Sequence, residues 1–563
     1  MPARPERRRG GEDRLVFLPL GGAGEIGMNL YLYGYGPPDD TRWLMVDLGI
    51  KFGDDKDPGI DVIFPDTAFI EAERGNLVGI VLTHAHEDHF GAVIDLWPRL
   101  RAPVYATPFT AAFLAAKLAE RGLQHEIPIE EVPLGSRLTI GPFDVEFIAM
   151  THSIPEPNAL ALRTPLGNVL HTGDWKIDDR PMVGGPMAVD RLKALGAEGC
   201  RAMICDSTNV LAEGISPSES DIAQGLAEVI AKAPRRVAVT TFASNVGRLR
   251  AVALAAKAAD RQLVVVGRAM FRSLNAAREV GYLDDFGEVL TERDYGYLPP
   301  DKVVCLCTGS QGEARAAMSR IADGTHPNVT LNEGDMVIFS SRTIPGNEKA
   351  VAAVENSLAA QGVQLVTADD HLVHVTGHPR RGELAMLYDW VRPQAVIPMH
   401  GEMRHLVEHT RFARAQGVKE TLVARNGDIV RLAPGPVAIV DEAPAGRLHL
   451  DGRLIVTSEQ GPAWERRKLS FAGVVAVSLV LDRRGDMVAE PMIEIFGLPA
   501  EDADGNSMDD ILFDAAEGVL RSLPKAGRRD DDLVAEAVRR AVRKQADLVW
   551  GKKPVCRVML TRI

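Results

Sequence analysis

The chain reads as an α/β protein of several domains, on three observations. An apolar run from Leu77 to Leu82 has the length of a buried strand and ends directly in Thr83, His84, Ala85, His86, Glu87, Asp88 and His89, so ligand-type side chains sit at a strand's carboxyl end. Between residues 216 and 364, helical stretches at 223–233 and 246–260 alternate with apolar runs at 237–240, 263–266, 303–307 and 336–339, which predicts a parallel sheet covered by helices. Past residue 466, strands expected at 473–488, 492–496 and 556–563 mix with helices at 511–522 and 531–549, the make-up of a small α+β module.

Taken in order, the chain opens on an apolar strand at 15–20, followed by Gly22, Gly24 and Gly27, with Asp47 at the distance expected of a dinucleotide fingerprint. That fingerprint requires a helix after the glycines, whereas residues 29–35 alternate like a strand, so a strand-turn-strand is expected instead. Asp47 ends the next strand, where it is expected to orient an imidazole rather than merely cap a turn. A helix at 110–121 closes at Gly122, and 136–150 reads as a hairpin that delivers His152. The following hairpin ends in His171, Thr172, Gly173 and Asp174.

The spacing of histidines and carboxylates suggests two metals. In a strand-to-loop turn His84 and His86 fall on one side and can share an ion, while Asp88 and His89 point toward a second. His152 would complete the first set, and His400, at the end of a strand predicted at 394–400, the second. A carboxylate can bridge two cations through its two oxygens, and Asp174 is the candidate. Two divalent ions are expected, zinc first, with manganese or magnesium as alternatives.

Composition bounds the rest. With 563 residues, 46% hydrophobic and 25% charged, the sequence is that of a soluble globular protein, and no apolar run reaches membrane-spanning length. The basic first 14 residues lack the apolar segment of a secretory signal, so they are expected to be a disordered arm on a cytoplasmic protein, with Arg7, Arg8 and Arg9 as a solvated tail. The five cysteines contain no C-x-x-C, and four lie in or beside apolar runs, which fits reduced packing residues. A net charge of −13 argues against wholesale electrostatic binding of nucleic acid and leaves room for a local basic groove, for which Arg235, Arg236, Arg248, Arg250, Arg268 and Arg272 are available.

Asp47, the 84–89 cluster, His152 and Asp174 resemble, in order and spacing, the motifs of the metallo-β-lactamase superfamily, whose fold is an αββα sandwich of two mixed sheets flanked by helices. Residues 205–209 (Cys, Asp, Ser, Thr, Asn) resemble the acidic motif that opens the inserted β-CASP domain of nucleic-acid-processing members, and Thr376, Gly377, His378 and residues 398–402 resemble that group's later histidine motifs. The whole set, with GGAGEIG, HAHEDH, CTGSQGE, SRTIPGNE, VHVTGH, PMHGE and a C-terminal hundred residues, is similar to the bacterial ribonuclease J family. The resemblance implies a split metallo-β-lactamase domain at 15–208 and 371–442 and a β-CASP domain at 209–370; glycine, proline and charge content marks 443–466 as a linker, and the α+β domain at 467–563, without catalytic clusters, suggests a role in assembly that the resemblance also implies.

Ser244, Asn245, Ser341 and Arg342 fall where strands of the insert end, and with His374, Val375, Thr376, Gly377 and His378 they are the expected phosphate contacts. His378, outside any strand, is expected to serve the leaving oxygen, with Asp88, Asp174, Asp47 and Asp206 as catalytic carboxylates. His371 is a weaker candidate. His405 and His409 read as an exposed helix face and are excluded. Pro379, Arg380 and Arg381 depart from the small and polar residues that usually continue the family's loop, which puts its hold on phosphate in question.

The sequence thus predicts a two-metal ribonuclease, and the resemblance implies that it degrades RNA from the 5′ end, favouring 5′-monophosphorylated RNA, with some endonuclease activity, in RNA decay and maturation. Its expected partners are RNA, a homodimer or homotetramer formed through the C-terminal domain, and an RNA-decay complex, with no membrane. The alternatives are a β-CASP nuclease acting on DNA or pre-RNA ends and a catalytically idle RNA-binding scaffold.

Overall fold

The computed structural model describes residues 11–54, 56–344, 346–459 and 461–563. Arg7, Arg8 and Arg9 lie outside the described residues. Contacts divide the chain into one compact unit of residues 1–51 and 63–448 and a second of 52–62 and 449–563.

Two mixed sheets face each other in the first unit. The eight-stranded sheet runs in the order Ala438–Glu442, Asp428–Ala433, Arg14–Gly21, Leu30–Gly36, Arg42–Val46, Leu77–Val81, Val104–Ala106, Ile129–Glu131. The seven-stranded sheet runs Arg137–Ile140, Phe143–Ala149, Asn158–Thr164, Gly167–His171, Cys200–Asp206, Ala395–Met399, Glu420–Thr421. Strand alternation decides what goes between them. Phe17, Tyr31, Tyr33, Val46 and Val81 of one sheet share a buried core with Val145, Phe147, Leu162, Val169, Ile204 and Ile397 of the other. The alternate residues Ile148, Ala161, Leu170, Met203 and Val396 point outward and pack on Leu192 and Leu195 of the helix Val189–Glu198 and on Leu384 and Leu387 of Arg381–Val391. The sandwich expected from the resemblance is therefore present.

The insert builds its own sheet of six strands, all parallel, in the order Leu290–Thr291, Gln262–Val266, Val303–Cys307, Val237–Thr240, Met336–Phe339, Gln364–Val366. It leaves the sandwich after Asp206, and the chain returns to a strand that pairs in parallel with the one it left, Asp206 opposite Met399. That register brings Asp206 and His400 to neighbouring strand ends, although 194 positions separate them in the chain.

In the second unit the strands Met492–Phe496, Val474–Leu481 and Val555–Arg562 form a sheet with one covered face. Val475, Val477, Leu479 and Leu481 pack there on Leu512 and on Val534, Val538, Val542 and Ala546, which recur every four residues along the helix Asp531–Trp550. The linker expectation needs correction. Residues 443–466 hold the strands Arg447–Asp451 and Leu454–Thr457 and the start of the helix Ala463–Ala472. Their glycine, proline and charge content reads as linker because the two strands are short and half-exposed, so no alternating apolar pattern marks them.

All five cysteines are free and buried. Among the described residues no helix is long and apolar enough to cross a membrane.

Candidate metal centre

The loop after Leu77–Val81 turns directly into the short helix Glu87–Phe90, and the turn places His84 and His86 apart from Asp88 and His89. His84 Nε2 and His152 Nε2 each lie 3.1 Å from His86 Nδ1, and Asp174 Oδ2 stands 4.0 and 3.8 Å from the two Nε2 atoms. On the other side of Asp174, its Oδ2 is 3.2 Å from His89 Nε2 and its Oδ1 is 3.5 Å from His400 Nδ1, while Asp88 Oδ2 is 3.6 Å from His89 Nε2 and 3.0 Å from His400 Nε2. Within each set the ligand atoms lie no more than 4.8 Å apart.

The donor set fits divalent cations. A tetrahedral site with bonds of about 2.05 Å spaces its ligand atoms by about 3.3 Å, close to the two 3.1 Å separations from His86 Nδ1, which a single ring proton on that nitrogen cannot serve at once. Asp174 Oδ1 is buried without a hydrogen-bond partner, an arrangement that is costly unless a cation answers it. Electrostatics divides the two halves. Burial pushes His84, His86 and His152 down, His86 to about 4, which keeps them neutral ligands. Burial also opposes protonation of His89 and His400, but Asp174 leads the carboxylates that outweigh it, and His400 is raised to about 10. Asp174 and Asp88 are held well below the usual carboxylate range by the neighbouring histidines, against the burial that would raise them.

Supporting groups hold these ligands in place. Fully buried Asp47 accepts from Thr83 N at 2.8 Å and Thr83 Oγ1 at 2.9 Å, and its Oδ2 lies 2.6 Å from His89 Nδ1. His152 Nδ1 lies 2.6 Å from the carbonyl of Gly377, and Thr208 Oγ1 2.8 Å from His400 Nδ1. Asn29 Nδ2 donates to the carbonyl of Asp88 at 2.9 Å. Asp47 and His400 both adopt left-handed backbone, φ 63° and 50°, sparsely populated conformations that the surrounding sandwich must hold. Sequence reasoning missed Asn29 and Thr208 as supports; the CDSTN motif could have pointed to Thr208, while Asn29 carries no signal beyond following the glycine turn.

His378 stands beside the second set. Its Nδ1 is 2.8 Å from Asp206 Oδ2 and 3.8 Å from Asp174 Oδ2, and Asp206 Oδ1 is 3.6 Å from His400 Nδ1. Burial opposes protonation of His378, yet Asp206 and then Asp174 raise its proton affinity above the ordinary histidine value.

The expected phosphate contacts are placed as follows. Arg342 is exposed, and its Nη1 donates to Asn209 Oδ1 at 3.4 Å; Asn209 Nδ2 donates to Thr376 Oγ1 at 2.7 Å and to the carbonyl of His378 at 3.2 Å. Ser244 is half-buried and Ser341 buried. Asn245 Oδ1 accepts from Arg248 N at 2.9 Å as the cap of the helix Val246–Ala258, so its carbonyl is committed. Val375 is buried and can offer only its backbone. His374 Nδ1 is buried with no hydrogen-bond partner. His371 is exposed.

Three sequence readings are corrected. Five of the six arginines of the basic groove are taken up in ion pairs, Arg235 and Arg236 facing Asp335, Arg250 Asp285, Arg272 Glu120 and Arg248 Glu219, while Arg268 is exposed. His405 and His409 are buried, not an exposed face, because the helix Met403–Ala415 packs on the sandwich. His409 Nδ1 lies 2.8 Å from Ser207 Oγ and its Nε2 2.6 Å from the Tyr388 hydroxyl. The Arg381 departure is neutralised, since its guanidinium pairs with Glu213 at 2.7 Å and Glu408 at 2.6 Å.

Comparison with known families agrees with this geometry. Residues 29–187 match the metallo-beta-lactamase superfamily, 234–358 the ribonuclease J beta-CASP domain, 366–423 a Zn-dependent metallo-hydrolase RNA specificity domain, and 464–563 the ribonuclease J C-terminal domain. The chain is 51% identical to ribonuclease J of Sinorhizobium meliloti, over 98% of each protein. The chain belongs to the ribonuclease J family. Other ribonucleases J stand further off: that of Corynebacterium glutamicum is 36% identical over 98% of this chain and 76% of its own length, and that of Thermus thermophilus 33% identical over 98% and 91%. As a ribonuclease J, the chain is a metal-dependent ribonuclease that acts on RNA and binds divalent metal, which sets aside the reading as an idle scaffold.

Proposed function

We propose that the chain is a 5′-3′ exoribonuclease that favours 5′-monophosphorylated RNA, with some endonuclease activity, working in the cytoplasm in RNA decay and maturation. Two cations, zinc first among them, would be held by His84, His86 and His152 on one side and by Asp88, His89 and His400 on the other, with Asp174 between. When bound they would lower the pKa of a water toward neutrality and neutralise charge that develops on the phosphate oxygens.

The protein's own groups supply the rest. Asp206 fixes the His378 ring through Nδ1 and raises its proton affinity, so the imidazolium can protonate the leaving oxygen. Asp47 holds the His89 ring so that Nε2 faces Asp174. The observation that carries the reading is the network from exposed Arg342 through Asn209 to Thr376 and the His378 carbonyl, which joins a cation of the insert to the loop beside the metal ligands. A guanidinium and small polar groups next to the reacting centre suit a phosphate and read no base.

A pocket closed around one terminal phosphate would penalise three, because extra buried anions without partners are costly. A time course on one RNA bearing either a 5′-monophosphate or a 5′-triphosphate tests this. Faster release of 5′ nucleotides from the monophosphate, with the preference weakened in Ser341→Ala, is expected. Equal rates would remove the phosphate-counting pocket, and a ladder of internal fragments would mark a mainly endonucleolytic enzyme.

A further inference from the structure

Arg248 is a cation with no exposed surface, three residues into the helix Val246–Ala258. Its Nη2 and Nε donate to Glu219 Oε2 at 2.8 and 3.3 Å. Its Nη1 donates to the carbonyl of Ser340 at 3.1 Å, to Ser340 Oγ at 2.5 Å and to the carbonyl of Val373 at 3.1 Å, and Ser340 Oγ in turn donates to the same Val373 carbonyl at 2.6 Å. Both accepting segments lead straight into expected phosphate contacts: Ser340 into Ser341 and Arg342, Val373 into the loop that ends at His378.

On its far side Glu219 reaches the sandwich. Glu219 Oε1 lies 3.6 Å from the fully buried Lys176 Nζ, which lies 3.2 Å from Asp178 Oδ2. The backbone N–H of Lys176 donates to the carbonyl of Thr151 at 2.8 Å, and Thr151 Oγ1 donates to the carbonyl of Lys176 at 2.6 Å. Thr151 precedes His152, and Lys176 follows Asp174 by two positions. A buried series of polar contacts therefore runs from Thr151 and Lys176, in the two segments that carry His152 and Asp174, through Glu219 and Arg248 to both loops.

Buried ion pairs are poor sources of net stability compared with apolar packing, so one that spans four segments needs another reason to be there. Geometry supplies it. A guanidinium presents its donors in a rigid planar fork, and the two N–H groups of Nη1, shared among three acceptors, tie together two loops that have no strand pairing between them among the described residues. We propose that Arg248 is a positioning residue for RNA: it locks the 340–342 and 373–378 loops to each other and, through Glu219 and Lys176, to the segments carrying His152 and Asp174. RNA gripped by the loops is thereby held in register with the metal centre. The inference rests on the reading that these loops bind RNA phosphates.

The test uses the full-length, metal-loaded protein. Arg248→Met combined with Glu219→Gln removes both charges of the closest pair, and Ser340→Ala removes one hydroxyl alone. Two substrates are compared, 5′-monophosphorylated RNA and bis(p-nitrophenyl) phosphate, a diester too small to engage the loops, together with metal content by mass spectrometry. In the double variant KM for RNA is expected to rise about tenfold or more, while diester hydrolysis stays within about twofold and metal content is unchanged; Ser340→Ala should raise KM in the same direction by a smaller factor. An unchanged KM for RNA, or RNA and diester rates falling together, would overturn the proposal. Should the double variant fail to fold, Ser340→Ala decides by the same split. Wild-type protein that does not distinguish the two 5′ ends would count against the 5′ pocket only, because the loop test compares variant and wild type on the same RNA.

Discussion

At the scale of single residues, Asp174 and His378 lie 3.8 Å apart and should answer mutation differently. Among the described residues, Asp174 is the one carboxylate common to both candidate ligand sets, with Oδ2 toward His84, His152 and His89 and Oδ1 toward His400. Asp174→Ala is expected to abolish RNA cleavage and to lower metal content at both sets together, checked by parallel activity and metal analysis; full activity would remove the bridging role. His378 has its ring held by Asp206 and is proposed as a proton donor, so His378→Ala should retain metal and lose about 100- to 10,000-fold in rate. Because Asp174, Asp206, His378 and His400 also converge closely enough to hold an ion, loss of metal in this variant would reassign His378 as a ligand. The candidate ligand cluster is legible in the sequence because His84, His86, Asp88 and His89 within six residues have few structural reasons to cluster. Arg248 was not legible: an arginine on a helix reads as solvated, and only the fold shows three segments closing over it.

At the scale of elements, the site depends on how closely two strand ends approach. Gly49, just past Arg42–Val46, lies so near the backbone of the helix Glu87–Phe90 that a Cβ there would stand 1.7 Å from the Asp88 carbonyl oxygen and 2.7 Å from His89 N. The obstacle is backbone, which cannot swing aside as a side chain would. Gly49→Ala should therefore displace the helix that carries Asp88 and His89, costing about 1–3 kcal/mol as overpacking does and lowering occupancy of their ion more than that of the other. Thermal denaturation and metal titration check both halves; an unchanged Tm with full occupancy would show that the strand end can yield. Sequence pattern placed these elements well where periodicity was strong, as in the parallel strands of the insert. It failed at 443–466, where short half-exposed strands leave no period to read, and at His405 and His409, whose i to i+4 spacing does not say which face of a helix is buried.

At the scale of the whole molecule, every ligand of the proposed ions lies in the unit of residues 1–51 and 63–448, and among the described residues no such cluster falls in the other unit. Each unit has a core of its own, built in the second around Val475, Val477, Leu479 and Val538. An ion bound only by the folded state stabilises by RT ln(1 + [L]/Kd), about 2.7 kcal/mol for one site at a hundredfold excess over Kd, which slows exchange of amides that require that unit to open by about a hundredfold. Chelation should therefore accelerate hydrogen exchange across the strands Leu77–Val81, Cys200–Asp206 and Ala395–Met399, whose ends carry ligands or their supports. Amides of Val474–Leu481 and of the helix Asp531–Trp550, which reach no ligand, should exchange at the same rate with and without chelator. Hydrogen exchange followed by mass spectrometry on the intact chain reads both at once. Equal acceleration in both units would show that metal binding stabilises the molecule as one cooperative body, and no acceleration in either would place the ions outside the sandwich.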